Sequence, residues 1–172
     1  MEKTMRSRAF PRTLAALVVA VVLGGMTPSV APVADAAMRG EVDAVRALLQ
    51  NGADVNEAQG DGMTALHWAA RHGDVELAQI LIYAGSSLDA GTRIGSYTPL
   101  HIASREGHAQ VAEVLLKSGS NPRAVSSNSG ATPLHLAARS GNPDIILQLI
   151  EYGADIEARE TQWGQTPLTF AA

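Results

Sequence analysis

The chain has no cysteine, which excludes disulfide bonds, thiol catalysis and cysteine metal sites together. Aromatic residues make up only 4% of the 172 residues, although 46% are hydrophobic. Ala, Leu, Val and Ile must therefore form the core, and this composition favours closely packed short helices over a sandwich of aromatic-rich strands. Basic residues are also scarce beyond the N-terminus, since residues 37–172 hold nine Lys and Arg against fifteen Asp and Glu. The net charge of −6 in that segment makes nucleic acid and anionic membranes poor candidate partners.

Residues 1–31 have the order of a secretory signal peptide. Four basic residues fall within the first twelve positions, the apolar stretch LAALVVAVVLGG follows at residues 14–25, and small residues and prolines come next. As a helix, this stretch would span about 18 Å, short of the roughly 30 Å hydrocarbon core of a membrane. We therefore expect a bacterial protein exported to the periplasm or secreted, with an N-terminal membrane anchor as the alternative. Two cleavage sites remain open, because Pro32 disfavours a cut at 31/32 and a cut at 36/37 falls inside the repeat pattern described next.

A four-residue phrase recurs every 34 residues through the rest of the chain, beginning at Thr64, Thr98, Thr132 and Thr166. It reads Thr-Ala-Leu-His in the first copy, Thr-Pro-Leu-His in the next two and Thr-Pro-Leu-Thr in the last. A glycine stands nine residues after each of the first three threonines, and another stands twelve residues further on. A fixed period of this size indicates a stack of repeated units. Aligning the glycines adds an earlier copy and divides the chain into repeats at 32–63, 64–97, 98–131, 132–165 and a partial repeat at 166–172.

Each repeat predicts two short helices. The threonine caps the first helix and proline occupies its first turn, where a missing N–H costs nothing. This helix is expected to run for about seven residues and to stop at glycine. The second helix, for example DVELAQILIYAG, places apolar residues at helical spacing and ends at Gly85, a suitable left-handed C-cap. Paired alanines in the first helices are small enough to let neighbouring helices approach closely.

The pattern resembles the ankyrin repeat, whose signature is T-P-L-H-x-A-A…G…L-L…G-A-D, over residues 32–172. The resemblance implies an all-α repeat solenoid of helix-turn-helix units, with β-turn finger loops projecting from one edge. It also implies that the chain binds another protein through those loops and the concave helix face. We expect no catalysis and no cofactor, because the sequence has no Gly-rich phosphate loop, nucleophile elbow or H-E-x-x-H helix. The sequence departs from the pattern at three positions: Asp35 replaces an apolar residue, Leu147 takes a usually polar position and Gln148 a usually apolar one.

Three histidines, His67, His101 and His135, occupy the same position in successive repeats. Packed helices lie about 8–10 Å apart, whereas the nitrogens that share a zinc ion each lie about 2 Å from it. We therefore expect no metal site, and expect each histidine to tie its threonine to a neighbouring loop. His72 and His108 lie elsewhere in their repeats and are expected to be solvated.

Two sets of residues are candidates for contact with a partner protein. Arg71, Arg105 and Arg139 form a row at the ends of the first helices; they either complement the helix C-termini and local carboxylates or face the concave groove and an acidic partner. The second set consists of large or charged loop residues, which protein interfaces use as anchors. Its members are Met63, Arg93, Ile94, Tyr97, Arg123, Arg159 and Trp163. Tyr97 and Trp163 lie close to a helix start, so packing there is the alternative for both.

The sequence therefore predicts an exported protein-binding scaffold. The alternative is the recognition module of a longer protein with a catalytic or membrane domain beyond residue 172. A binder of small molecules is a third reading, for which the sequence offers no pocket. The last residues, GQTPLTFAA, begin a first helix without its second helix, so we expect the chain to be truncated at its C-terminus and Leu168 and Phe170 to be half covered.

Overall fold

The computed structural model describes residues 31–170, and over this part of the chain it contains nine helices and no strand. The predicted signal peptide lies outside the described residues, apart from its last residue. In chain order the helices are α1 Pro32–Met38, α2 Val42–Gln50, α3 Ala65–His72, α4 Val75–Tyr83, α5 Pro99–Glu106, α6 Ala109–Lys117, α7 Pro133–Ser140, α8 Pro143–Glu151 and α9 Pro167–Phe170. The alternative cleavage site at 36/37 lies within α1.

The helices form two layers that follow the repeats. The first helices α1, α3, α5, α7 and α9 each contact the next, and α4, α6 and α8 do the same in the second layer. Leucine side chains such as Leu66, Leu81, Leu100 and Leu115 are fully buried between the layers. The predicted all-α solenoid is confirmed, and its core is a continuous strip in which each repeat packs on its neighbours.

The predicted helix signals act as expected. Thr98 and His101 form a capping box at the start of α5, in which the Thr98 Oγ1 accepts the His101 N–H at 3.4 Å and His101 Nδ1 accepts the Thr98 N–H at 3.2 Å. The same box precedes α3 and α7. Gly107 ends α5 with φ of 79°, a left-handed conformation that glycine adopts without a steric penalty.

A hairpin loop precedes each capping threonine, and we call these loops fingers 1 to 4: residues 59–63, 92–97, 126–131 and 160–165. In each finger the first residue donates its N–H to the carbonyl of the last residue, as Thr92 does to Tyr97 at 3.0 Å. In fingers 2 to 4 a side-chain oxygen of the first residue also accepts the N–H of the last residue, from Thr92, Ser126 and Glu160. Each finger thus has its own internal brace.

The fingers are also joined to one another by backbone hydrogen bonds. Arg93 donates to the Asp61 carbonyl at 2.8 Å and Ser127 donates to the Gly95 carbonyl at 2.9 Å. Thr161 donates to the Ser129 carbonyl at 2.7 Å in the same way. The four fingers therefore form one connected row.

A second line of bonds joins the loops that follow the second helices. Asn56 accepts from the Ser87 N–H, Asp89 accepts from the Asn121 N–H, and Arg123 donates to the Gly153 carbonyl. The three side chains occupy one position in successive repeats. Neighbouring repeats are therefore held on the finger row and again at these loops.

The departures from the repeat pattern have local consequences. Asp35 accepts a hydrogen bond from the Gln59 amide, whose oxygen accepts the indole N–H of Trp68 at 2.8 Å, so a polar chain links the first two repeats. Leu147 is 65% exposed, and the Gln148 Oε1 is buried with no hydrogen-bond partner among the residues that the structure describes. In the last unit Phe170 is half-buried, as expected, but Leu168 is 81% exposed, so the expectation that it is half covered is wrong, because the four-residue helix α9 leaves its outer side open to solvent.

Candidate protein-binding surface

The three repeated histidines tie each repeat to the next, as predicted. In each, Nδ1 lies 2.8–2.9 Å from the oxygen of its own threonine, while Nε2 lies 2.9–3.2 Å from a backbone carbonyl of the next finger. Because Nδ1 accepts the threonine N–H, Nε2 carries the proton and donates to the carbonyl. Burial disfavours the charged imidazole, which lowers the pKa of His67 and lowers that of His101 to about 4. Both ring nitrogens are thus used within the fold.

The other two histidines differ from each other. His72 is exposed, as expected, with its ring beside that of Trp68. His108 is half-buried and donates from Nε2 to the Arg71 carbonyl at 3.1 Å, so the expectation that it is solvated is wrong. Asn142 occupies the same position one repeat later and donates its amide N–H to the Gly107 carbonyl.

Neither metal chemistry nor a membrane-spanning helix is evident in the described part of the chain. Residues 31–170 contain no cluster of His, Asp and Glu side chains arranged to hold a metal ion. None of the helices in this range has the length and hydropathy needed to cross a bilayer.

The arginine row has mixed local partners. The guanidinium of Arg71 lies over the Trp68 ring at 5.4 Å, and that of Arg139 lies over the Phe170 ring at 5.8 Å. Arg105 forms a 2.9 Å ion pair with Glu106. Within residues 31–170 neither Arg71 nor Arg139 has a carboxylate partner, so a local ion pair accounts for only the middle arginine.

Four of the sequence-predicted residues line a single pocket of about 260 Å³ between the first helices and the fingers. They are Tyr97, Arg105, Arg139 and Trp163, and we call this cavity the groove pocket. Leu136 and Phe170 supply apolar wall, while Asn128, Ser129, Ala131, Glu160 and Gln162 complete the lining. Trp163 is 71% exposed, so its indole is accessible from solvent at the edge of the pocket.

Tyr97 and Trp163 differ, because Tyr97 packs at a helix start whereas Trp163 is exposed. The Tyr97 ring is half-buried edge-on to His101, and its hydroxyl donates to Asn128 of the next finger at 3.3 Å. Tyr97 therefore packs at the helix start, as the alternative proposed, and still faces the groove pocket. Trp163 remains an exposed aromatic residue of finger 4.

The remaining candidates divide into exposed and structural residues. Ile94 is 79% exposed and Arg93 is also exposed, both in finger 2. Met63 is 6% exposed and belongs to the buried hydrophobic residues of the core, so the expectation of an exposed anchor is wrong there. Arg123 and Arg159 are exposed, yet the Arg123 guanidinium bonds to the next repeat, and that of Arg159 bonds to the Gly164 carbonyl in the adjoining finger 4.

Sequence reasoning missed the residues that brace the fingers and complete the pocket. Glu160 is 3% exposed, and its carboxylate accepts the backbone N–H groups of Gln162, Trp163 and Gln165. These bonds outweigh desolvation and lower the Glu160 pKa. The sequence does carry a signal for this brace. In fingers 2 to 4 a polar residue stands six positions before the capping threonine.

Family profiles of known proteins match most of this repeat array. The family profile described as "Ankyrin repeats (many copies)" matches residues 33–82, and that described as "Ankyrin repeats (3 copies)" matches residues 86–160 and 120–172. The chain belongs to the ankyrin repeat family. Ankyrin repeats are generally protein–protein interaction modules without catalytic activity of their own.

Two relatives are similar over part of the array. The chain is 43% identical over 54 residues to the Ankyrin repeat and LEM domain-containing protein 1 homolog of Caenorhabditis elegans, a match covering 31% of this chain and 8% of that protein. It is 40% identical over 57 residues to the human Ankyrin repeat domain-containing protein 39, covering 33% of this chain and 31% of that protein. The chain thus spans less than a third of either relative.

Proposed function

We propose that this ankyrin array binds another protein through the concave surface between its finger row and its first helices. The observation that carries the proposal is the groove pocket, where Tyr97, Arg105, Arg139 and Trp163 meet although they come from three repeats. Arginine and aromatic residues are the types that protein interfaces use as anchors. No step of chemistry is assigned to the chain, which on this proposal acts as a scaffold without a cofactor.

The hydrogen bonds along the finger row support this proposal. Because each finger is braced internally and bonded to the next, the surface needs little ordering when a partner arrives. Ile94 and Trp163 then present apolar area from fixed positions.

A second candidate is that the repeats are the recognition module of a longer protein that carries a catalytic or membrane domain. This candidate is favoured by the relatives, because the matched segment makes up only 8% of one and 31% of the other. Binding through the groove is common to both candidates.

We further propose that the protein is exported to the periplasm or secreted, on the strength of the basic, apolar and small-residue order of residues 1–31. Fusing these residues to a reporter that is active only outside the cytoplasm tests this proposal. Export predicts an active reporter and a shortened product; an inactive reporter contradicts export, and a full-length membrane-bound product supports the anchor.

Capture of partners with surface variants tests the binding proposal. The purified chain and an Ile94→Ser/Trp163→Ser double variant are immobilised, and recovered proteins are quantified by mass spectrometry. Tyr83→Ser is the matched control, because Tyr83 is 96% exposed but belongs to α4 in the second helix layer. The proposal predicts that some proteins are recovered on wild type and on the control but are depleted on the double variant. The reason is a loss of roughly 1–3 kcal/mol of binding free energy for each anchor residue. Equal recovery by all three, or depletion by the control alone, would contradict it.

A further inference from the structure

The groove pocket has walls that are fixed before any partner binds. Finger 3 bonds to finger 2 through Ser127 and Gly95, and finger 4 bonds to finger 3 through Thr161 and Ser129. The opposite wall consists of Arg105 and Leu136 from the first helices α5 and α7. Each of these helices is anchored by a capping box and by its histidine. The cavity is therefore preformed.

The lining of the pocket contains two arginines, Arg105 and Arg139. Arg139 has no carboxylate partner among residues 31–170, and its guanidinium is held over Phe170. Its planar N–H groups remain able to donate to a carboxylate at the ring edge. Arg105 is paired with Glu106, but both side chains are about one-third exposed and such surface pairs contribute little. Glu106 can therefore be displaced by a carboxylate that two arginines bind.

The acidic residue in the pocket lining does not neutralise these arginines by an ion pair. The Glu160 oxygens accept three backbone N–H groups of finger 4, which fixes the carboxylate toward its own loop. No ion pair joins Glu160 to an arginine in the part of the chain that the structure describes. Of the two pocket arginines, Arg139 thus lacks a carboxylate partner in the described part of the chain, so its guanidinium remains available to a carboxylate from outside.

The size of the pocket limits what it accepts. At about 260 Å³ it is smaller than the roughly 300–1,000 Å³ typical of sites for small molecules and cofactors. It is also open to solvent along the exposed face of Trp163. One or two side chains of an extended peptide fit this description better than a free ligand.

We propose that the groove pocket binds an acidic segment of the partner protein, with one carboxylate between Arg105 and Arg139 and a neighbouring aromatic or aliphatic side chain against Trp163. This inference rests on the proposed function and specifies the chemistry of the partner. The carboxylate complements the two guanidinium groups, and the apolar side chain buries part of the exposed indole.

Selection from a random eight-residue phage-displayed peptide library on the purified chain tests this inference. The enriched peptide is then synthesised, and its Kd is measured by fluorescence anisotropy for wild type, Arg105→Glu, Arg139→Glu and Trp163→Ala. Arg46→Glu is the matched charge control, because Arg46 is an exposed residue of α2 that pairs with Glu76, away from the pocket. Circular dichroism of each variant verifies that helical content is retained.

The inference predicts peptides enriched in Asp or Glu beside an aromatic or aliphatic residue. Arg139→Glu and Arg105→Glu should each raise the Kd of the selected peptide about tenfold or more, while Arg46→Glu leaves it within about twofold. Raising the salt concentration should weaken binding, as expected for a partly exposed charge pair.

Three outcomes would overturn the inference. Selected peptides without acidic enrichment exclude an acidic segment. If acidic peptides bind Arg105→Glu and Arg139→Glu with the same Kd as wild type, their site lies elsewhere. A single-stranded oligonucleotide that displaces the peptide at similar concentration indicates phosphate recognition instead. None of these outcomes contradicts the broader proposal, which fails if the capture of partner proteins does not depend on Ile94 and Trp163.

Discussion

The imidazole of His101 donates from Nε2 to the backbone carbonyl of Ala131, 30 positions along the chain, at 3.2 Å. The same ring accepts the N–H of Thr98 through Nδ1, so one side chain joins the start of its own helix to the next finger. Only the neutral imidazole can make both bonds. The stack therefore depends on the protonation state of this buried histidine.

This dependence predicts a loss of stability in mild acid. The pKa of His101 is lowered to about 4 by burial, against about 6.5 in an unfolded chain. As pH falls below about 6.5 the unfolded chain takes up the proton first, so the free energy of unfolding decreases until the pH reaches about 4. The shift corresponds to a loss on the order of 3 kcal/mol, which urea unfolding followed by circular dichroism at pH 7.5 and 4.5 would measure. His101→Gln should lose less than wild type over this interval; an equal loss would assign the effect to other groups.

Within residues 31–170, three serine hydroxyls are buried without a hydrogen-bond partner, and they predict stabilising substitutions. Ser104 stands in α5 at the position of Ala70 and Ala138, and its Oγ has no hydrogen-bond partner. Ser86 and Ser120 have the same defect at a position where other repeats carry alanine. Ser104→Ala should raise the free energy of unfolding by roughly 1 kcal/mol, because it removes an unsatisfied buried group. The reverse change in the preceding repeat, Ala70→Ser, should lower it by a similar amount; a destabilised Ser104→Ala variant would contradict this reading.

Finger 2 carries a strained residue. Ser96 has φ of 49°, while the equivalent positions of the other fingers are Gly62, Gly130 and Gly164 with φ of 67–86°. A side chain in this left-handed region costs about 1–2 kcal/mol. We predict that Ser96→Gly raises the melting temperature slightly, since it relieves this strain at the cost of one exposed hydrogen bond to Ser127. Gly164→Ser, at an equivalent site with open space around it, should lower the melting temperature. A lower melting temperature for Ser96→Gly together with a higher one for Gly164→Ser would refute the argument.

The contact between fingers 1 and 2 predicts a difference between two glycines. Gly62 and Gly85 have similar φ values of 86° and 89°, so alanine is strained at both. A Cβ at Gly62 would lie 2.5 Å from the Arg93 nitrogen, whereas a Cβ at Gly85 meets nothing within 4 Å. Gly62→Ala should therefore destabilise the protein by about 1 kcal/mol more than Gly85→Ala, the value of one displaced hydrogen bond. Hydrogen exchange of the Arg93 amide should accelerate only in Gly62→Ala; equal effects would mean that the fingers do not depend on this contact.

The fold was predictable because its signals are local and repeated. Threonine and proline mark the starts of the first helices, and glycine marks their ends a few residues later. The 34-residue spacing of these signals indicates a stack of repeats. The burial of Met63 and the bonds of His108 and Arg123 were not predictable from the same spacing. The bonds of His108 and Arg123 join residues 37 and 30 positions apart, so they depend on how each repeat is rotated on its neighbour.

The candidate site was predicted in part for the same reason. The regular position of Arg71, Arg105 and Arg139 indicated a row on one face, and Arg105 and Arg139 do line one pocket with Trp163. The sequence did not reveal that Phe170 lies beneath Arg139, or that Tyr97 is braced by Asn128. Side-chain partners of this kind follow from finger geometry, which a single sequence does not specify.

Photo-crosslinking from position 163 tests the central claim, that the groove and finger surface binds a protein. The photoreactive amino acid p-benzoylphenylalanine replaces Trp163 in one variant and Tyr83 in a second, and both full chains are expressed in their natural cells and irradiated. Both positions are exposed, at 71% and 96%, so accessibility to the probe is matched. The account predicts a discrete crosslinked protein from position 163 and none from position 83. Crosslinking from position 83 alone, or from neither position, would contradict it.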